Sequence, residues 1–268
     1  MSPVPTRKCP VTNRKFAWSS ERYTNRMLQG ILPDGAWENK PCFIVGGGPS
    51  LRDFDWSLLK GYRTIGINRA YEKYDPTIIF SMDTRFLRWI LDGIYGPEAK
   101  MRFERSKAYK VWLCTYRASL PDEIFIVKVY RNYTKGFKAF NFSMAEGLGH
   151  GNNSGYAALN LACCLRANPI YLLGFDMKHE KRRREEQPES ERVEFLNKRA
   201  NEKRDRSVMT HWHNGHPRPQ TQMVLNNFIK YFTEVAPKID REKISVVNLC
   251  PSSKLECFPR KSWEEVLH

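Results

Sequence analysis

Short apolar runs alternate with amphipathic stretches along most of the chain, and several runs end on a glycine or a polar residue. Phe43–Val45 has the composition of a buried strand and leads into Gly46-Gly47-Gly48-Pro49-Ser50-Leu51. Arg63–Asn68 predicts a second strand and Thr77–Asp83 a third, with Val111–Thr115 and Ile124–Tyr130 as further strand candidates. Pro169–Asp176 is the run best suited to a core strand, and Ile244–Leu249 is the last. Helical spacing predicts short helices at Asp55–Lys60 and Arg85–Asp92 and a small-residue helix at Tyr156–Ala167. It also predicts an amphipathic helix at Thr221–Val235 and short helical pieces at Ser20–Gln29 and Ser262–Leu267. Near-continuous apolar strands alternating with helices imply an α/β domain with a mainly parallel sheet covered on both faces.

Residues 1–40 are polar and basic and read as an arm or cap before a single domain over 41–268. Lys178–Arg206 is dense in charge of both signs and nearly free of large apolar residues. It predicts a solvated helix or a charged insertion at about 178–208 between core elements. There is no internal repeat.

In parallel sheets ligands bind beyond the carboxyl ends of the strands, near the point where strand order reverses. The expected crevice is therefore lined by Gly46, Gly47, Gly48, Pro49, Ser50, Asn68, Asp83, Asp176 and Asn248. Glycines directly after a strand let the backbone turn tightly and approach a ligand. Ser50 is expected to cap a following helix whose free N–H groups suit a phosphate. The loop matches neither G-x-G-x-x-G nor a Walker A loop, because Leu51 and Arg52 follow the serine and no Lys-Ser/Thr pair follows the glycines.

His211, His213 and His216 lie in one short segment, His211-Trp212-His213-Asn214-Gly215-His216-Pro217. Histidine titrates near neutrality, so these three are candidates for a catalytic base. The alternative is a metal site of three imidazoles joined by Asp83 or Asp176. Asp83 and Asp176, taken as adjacent strand ends, could together hold Mg²⁺ beside a triphosphate. A strand-end aspartate can equally cap the next helix or bond a ribose hydroxyl, and that reading is preferred for Asp176.

The chain has 268 residues and a formal charge of +15 from 44 Lys and Arg against 29 Asp and Glu. Such an excess favours a polyanionic partner, DNA among them. Lys100–Lys138 interleaves basic residues with Phe103, Tyr109, Trp112, Tyr116, Tyr130 and Tyr133, which suits base or sugar stacking or an ordinary half-buried surface. Seven cysteines without a C-x-x-C pair fit a reducing compartment. No apolar run approaches a membrane span, and Met1–Arg26 lacks the apolar core of a secretory signal. The expected location is cytoplasmic.

Val45-Gly46-Gly47-Gly48-Pro49-Ser50-Leu51, with Asn68 ending the second strand and Asp83 the third, resembles the Rossmann-like superfamily of bacterial sialyltransferases. The pattern is shared with the MptE-like hydroxymethylpterin pyrophosphokinases. Asn153-Ser154-Gly155 and Leu173-Gly174-Phe175-Asp176 resemble that family's second nucleotide-binding half, and Thr210–Pro217 resembles a segment of its phage and prophage members. The resemblance implies that Gly48, Ser50, Asn68, Ser154, Gly155 and Asp176 contact a nucleotide, with Asn153 beside them. It implies a glycosyltransferase taking a nucleotide sugar as donor and needing no further cofactor. For a phage-encoded chain, it places the protein in the host cytoplasm. The alternatives are an Mg²⁺-dependent pyrophosphokinase and a non-enzymatic nucleotide- or nucleic-acid-binding protein. Lys178 and His179 stand where the sialyltransferases carry tyrosines, so acceptor and sugar specificity do not transfer.

Overall fold

The computed structural model describes residues 27–114, 120–130, 139–181, 208–213 and 221–267, with a two-residue strand pair at Arg7–Lys8 and Lys15–Phe16. Seven strands form its main sheet: β1 Cys42–Val45, β2 Arg63–Ile67, β3 Ile78–Ser81, β4 Tyr109–Cys114, β5 Ile124–Lys128, β6 Ile170–Leu173 and β7 Val246–Asn248. They lie in the order β7-β6-β1-β2-β3-β4-β5, and every neighbouring pair is parallel. Cys42 pairs with Arg63 on one side and Ile170 on the other, so β1 is central. From β1 the chain builds outward to β5, then returns to lay β6 against the other side of β1.

Alternate residues of each strand face opposite layers. Cys42 and Ile44 join the core beneath α3 (Ser154–Cys164) and α4 (Gln222–Arg241), whereas Phe43 and Val45 face Leu51, Phe54 and Leu59. On that second face, α1 (Thr84–Leu91) and α2 (Pro97–Arg105) bury Leu87, Ile90 and Phe103 against Ile79 and Trp112. A sheet covered on both sides can be apolar along whole strands, which is why β1 and β3 are buried throughout. Helix α3 is buried from Gly155 to Cys164, as expected of a helix apolar all round. Cys163 and Cys164 are packed thiols there, and burial holds both far above the usual thiol range. Phe103 and Trp112 are wholly buried, so these two aromatics of the basic stretch are core residues and not stacking platforms.

Several predicted elements differ. Helix α2 was not predicted, because its Lys, Arg and Glu content hides the two buried positions Ala99 and Phe103. A three-residue 3₁₀ turn, Pro49–Leu51, follows the glycine loop in place of an α-helix, and Ser50 lies inside it instead of capping it. Asp55 caps a second 3₁₀ turn, Trp56–Leu59. Helix α4 continues beyond Val235 to Arg241, through Pro237. The Ser262–Leu267 segment forms turns and not a helix. In the first 40 residues, Leu28 and Trp37 are packed in the main core, and Met27 bridges to Ile126 on the outer strand. Of the predicted Ser20–Gln29 helix, Leu28–Gly30 forms a 3₁₀ turn and residues 20–26 lie outside the described residues. The same holds for most of the charged insertion, whose ends are tied by a two-residue pair, Glu180–Lys181 with Val208–Met209.

One buried polar side chain positions the approach to α3. Asn160 is fully buried, accepts from the Gly149 N–H at 2.7 Å and donates to the Asn141 carbonyl at 2.6 Å. Asn160→Ala strips both partners, and an unmatched buried backbone group costs about 1–3 kcal/mol. Urea unfolding should show a loss of roughly 2–4 kcal/mol for Asn160→Ala.

Candidate functional site

Strand order reverses between β1 and β6, and a crevice opens where such sheets bind ligands, beyond their carboxyl ends. Gly46–Ser50 leaves β1 and Gly174–Asp176 leaves β6, and the two loops are bonded to each other. The Gly46 N–H donates to the Leu173 carbonyl at 2.8 Å and the Gly48 N–H to the Gly174 carbonyl at 2.9 Å. Asp176 then takes Ser50 twice, its N–H at 3.0 Å and its hydroxyl at 2.9 Å. The Asp176 carboxylate is buried, at 1% exposure. Burial pushes its pKa above the ordinary 3.8, against the two Ser50 hydrogen bonds that favour the charged form. It therefore clamps the glycine loop.

Gly48 has no side chain because none fits: a Cβ there would collide with the Asp176 carboxylate and lie 2.5 Å from the Gly174 carbonyl oxygen. Pro49 has no N–H, and those of Gly46, Gly48 and Ser50 are engaged. Among the described residues, the half-buried Gly47 N–H is the loop donor left without a protein partner. The phosphate cradle expected from a helix N-terminus is thus replaced by a single half-buried amide without a protein partner, beside a tightly bonded turn.

The second wall comes from β2, β3 and α3. Asn68 ends β2 with φ +55°, a conformation asparagine tolerates, and its Oδ1 accepts the Ser81 hydroxyl at 2.8 Å. That bond leaves the Asn68 Nδ2 as a donor without a partner among the described residues. Asp83 caps α1, accepting from the Arg85 N–H at 2.8 Å and pairing with the Arg85 guanidinium at 3.2 Å. Asn153 caps α3 through the N–H groups of Gly155, at 2.6 Å, and Tyr156, at 3.1 Å. Ser154, the first helical residue, keeps its N–H and hydroxyl. Gly155 packs on Phe175, one residue before Asp176, which joins α3 to the loop after β6.

Two sequence expectations are corrected here. Asp83 and Asp176 are not at adjacent strand ends: β1 and β2 lie between β6 and β3, which separates the two ends by about 14 Å at the usual strand spacing. No single Mg²⁺ can be shared by carboxylates so placed, since its ligands lie about 2.1 Å from it. Among the described residues, which do not include His216 of the three-imidazole alternative, no group of three or more His, Cys, Asp and Glu could hold a metal ion. Asn248 does not line the crevice either; it is fully buried, with its Nδ2 donating to the Leu255 carbonyl at 3.4 Å.

The histidine segment covers the glycine loop. The Trp212 N–H donates to the Gly47 carbonyl at 2.7 Å, and the His211 ring lies so close to Gly47 that a Cβ there would meet it. The His211 and His213 rings are 5.2 Å apart, and His213 meets the Trp212 indole edge-on at 4.8 Å. The Thr210 hydroxyl lies 2.9 Å from His211 Nδ1, and which of the two donates depends on the tautomer of the ring. Trp212 packs against Trp56 and lies under the Lys73 ammonium. His216 lies outside the described residues. Sequence reasoning missed Trp212 and Ser81 as site-building residues. A tryptophan between two histidines, and a serine two residues before Asp83, were the available signals.

No helix among the described residues is long and apolar enough to cross a membrane. No protein-family model matches the chain, and no curated protein matches it. Among solved structures, it is similar to the crystal structure of the sialyltransferase CST-II in complex with trisaccharide acceptor and CMP. That similarity has a TM-score of 0.44 and 18% sequence identity over 83% of this chain and 86% of that one.

Proposed function

We propose that the chain is a nucleotide-donor-dependent transferase of glycosyltransferase type, moving a sugar from a nucleotide sugar to a hydroxyl acceptor. The observation that carries this reading is the Gly46–Ser50 loop, clamped by Asp176 at the strand-order reversal and covered by His211–His213. In this reading the Gly47 N–H, the Asn68 Nδ2 and the Ser154 N–H and hydroxyl bind the nucleotide, with phosphate nearest Gly47. Gly46, Gly48, Pro49, Gly155 and Asp176 shape and hold that surface, with Ser50 tied to Asp176 and Asn153 setting the start of α3. The acceptor hydroxyl attacks the anomeric carbon, its proton passes to an imidazole of the histidine segment, and the sugar–phosphate bond breaks toward the nucleotide. The excess positive charge suits an anionic acceptor such as an acidic glycan or DNA carrying hydroxylated bases.

Calorimetric titration with CMP, UDP and GDP tests the core of this reading. At least one is expected to bind. Asn68→Ala should weaken it about tenfold, the worth of one hydrogen bond of roughly 1.4 kcal/mol. His213→Ala should leave binding intact while removing turnover. If none of the three nucleotides binds the intact chain, the reading is wrong.

A further inference from the structure

The glycine loop and the histidine segment meet at a second place, away from Gly47. Arg52, just after the loop, donates from Nη2 to the Lys181 carbonyl at 3.1 Å, and the same nitrogen contacts the Met209 sulfur. Its Nη1 faces Glu180 at 3.9 Å. These three residues belong to both strands of the short pair in which Val208 lies opposite Lys181 and Met209 opposite Glu180. The Arg52 side chain is only 12% exposed. Two residues beyond Met209 stands His211.

A two-residue ladder cannot hold its own geometry in water and needs anchoring from outside. Lys178 secures one strand at its base, with its ammonium 3.3 Å from Glu180 and 3.0 Å from the Ser252 hydroxyl. The strand leading into the histidines has Arg52. We infer that Arg52 is a positioning residue: its planar guanidinium grips both strands of the stem and thereby sets where His211 and His213 lie over the glycine loop. Arginine suits this task because its fixed fork reaches a carbonyl and a carboxylate at once, whereas a lysine ammonium is a point donor. Gly47 and Arg52 then hold the segment at two points, through the Trp212 N–H and through the stem. The purpose assigned to this grip, placing a base, rests on the function proposed above; the grip itself does not.

The test is imidazole NMR on the full chain, using long-range ¹H–¹⁵N spectra, with His211→Gln and His213→Gln supplying assignments and His150, on the turn before α3 and not on the stem, as a control. Arg52→Ala should shift and broaden the His211 and His213 signals and leave His150 in place. Arg52→Lys should give displacements between those of Arg52→Ala and the parent, because charge is kept and the fork is lost. If Arg52→Ala does not fold, Met209→Ala loosens the same grip from the stem side and should move the same two signals. Unmoved His211 and His213 signals in the folded variant overturn the inference. Titration of the same samples with CMP, UDP and GDP keeps the two claims apart. A parent chain that binds none of them refutes the proposed function, while the histidine shifts still decide the role of Arg52.

Discussion

Gly48→Ala is expected to abolish nucleotide binding and to lower the unfolding free energy by about 2–4 kcal/mol. The added methyl would collide with the Asp176 carboxylate, 2.7 Å from its Cγ, and would lie 2.5 Å from the Gly174 carbonyl oxygen. Neither neighbour can yield cheaply. The carboxylate is buried and holds Ser50, and the carbonyl accepts the Gly48 N–H. The loop must therefore leave β6, taking the Gly47 amide with it. Gly47→Ala is the contrast, because the three atoms nearest its Cβ all belong to the His211 side chain, not to backbone or to the Asp176 carboxylate. Urea unfolding and calorimetric titration of the two variants should separate them; a Gly48→Ala chain with wild-type stability would show that the clamp is not rigid.

Asp176 should give the second large effect, with opposite outcomes for two substitutions. Asp176→Ala removes the acceptor for both Ser50 donors and leaves space beneath the loop, so it should cost about 1–3 kcal/mol and release the loop. Asp176→Asn keeps the shape: its carbonyl can accept the Ser50 N–H and its amide can donate to the Ser50 oxygen. It also removes a carboxylate whose burial raises its pKa. The folded chain holds that proton more tightly than the unfolded chain does. Wild-type stability therefore falls as pH rises from about 3.8 to the raised folded value, then stays at the lower level. Asp176→Asn lacks this loss, so its stability relative to wild type should grow across that window and level off above it. Urea midpoints of both chains, measured through the acid range, check this. A difference independent of pH would place the Asp176 carboxyl at its ordinary value.

Much of the sheet was legible because its strands are buried on both faces. Phe43–Val45 and Ile170–Leu173 are apolar runs that a covered parallel strand readily explains, and in Arg63–Ile67 the residues after Arg63 are buried in the same way. Helix α3 was legible for a related reason, since small residues on every side suit close packing on a sheet. Helix α2 was not, because a highly charged helix shows only two buried positions. The glycine loop was recognisable as a ligand turn, yet its local future was not. Ser50 looked like a helix cap and instead bonds a carboxylate 126 positions away. The same distance explains the misplaced acid pair: which strand neighbours which is a property of pairing, and Asp83 and Asp176 each end a strand with nothing local to record the order. Arg52 carried no signal, since its partners lie 129 and 157 positions further along.

A chain being synthesised makes β1 before the other six strands of the sheet, yet β1 finishes between β2 and β6. Its Gly46 and Gly48 amides find their carbonyls only when Leu173 and Gly174 emerge. At ordinary translation rates of about 5–20 residues per second, Ser50 waits roughly 6–25 s for Asp176, 126 positions later. Until then the central strand has a bare edge and the loop has no floor. A nascent chain stopped before β6 would carry every residue of the first half-site and still lack the clamped turn. Capture on an immobilised nucleotide would then select chains whose sheet has closed around β1.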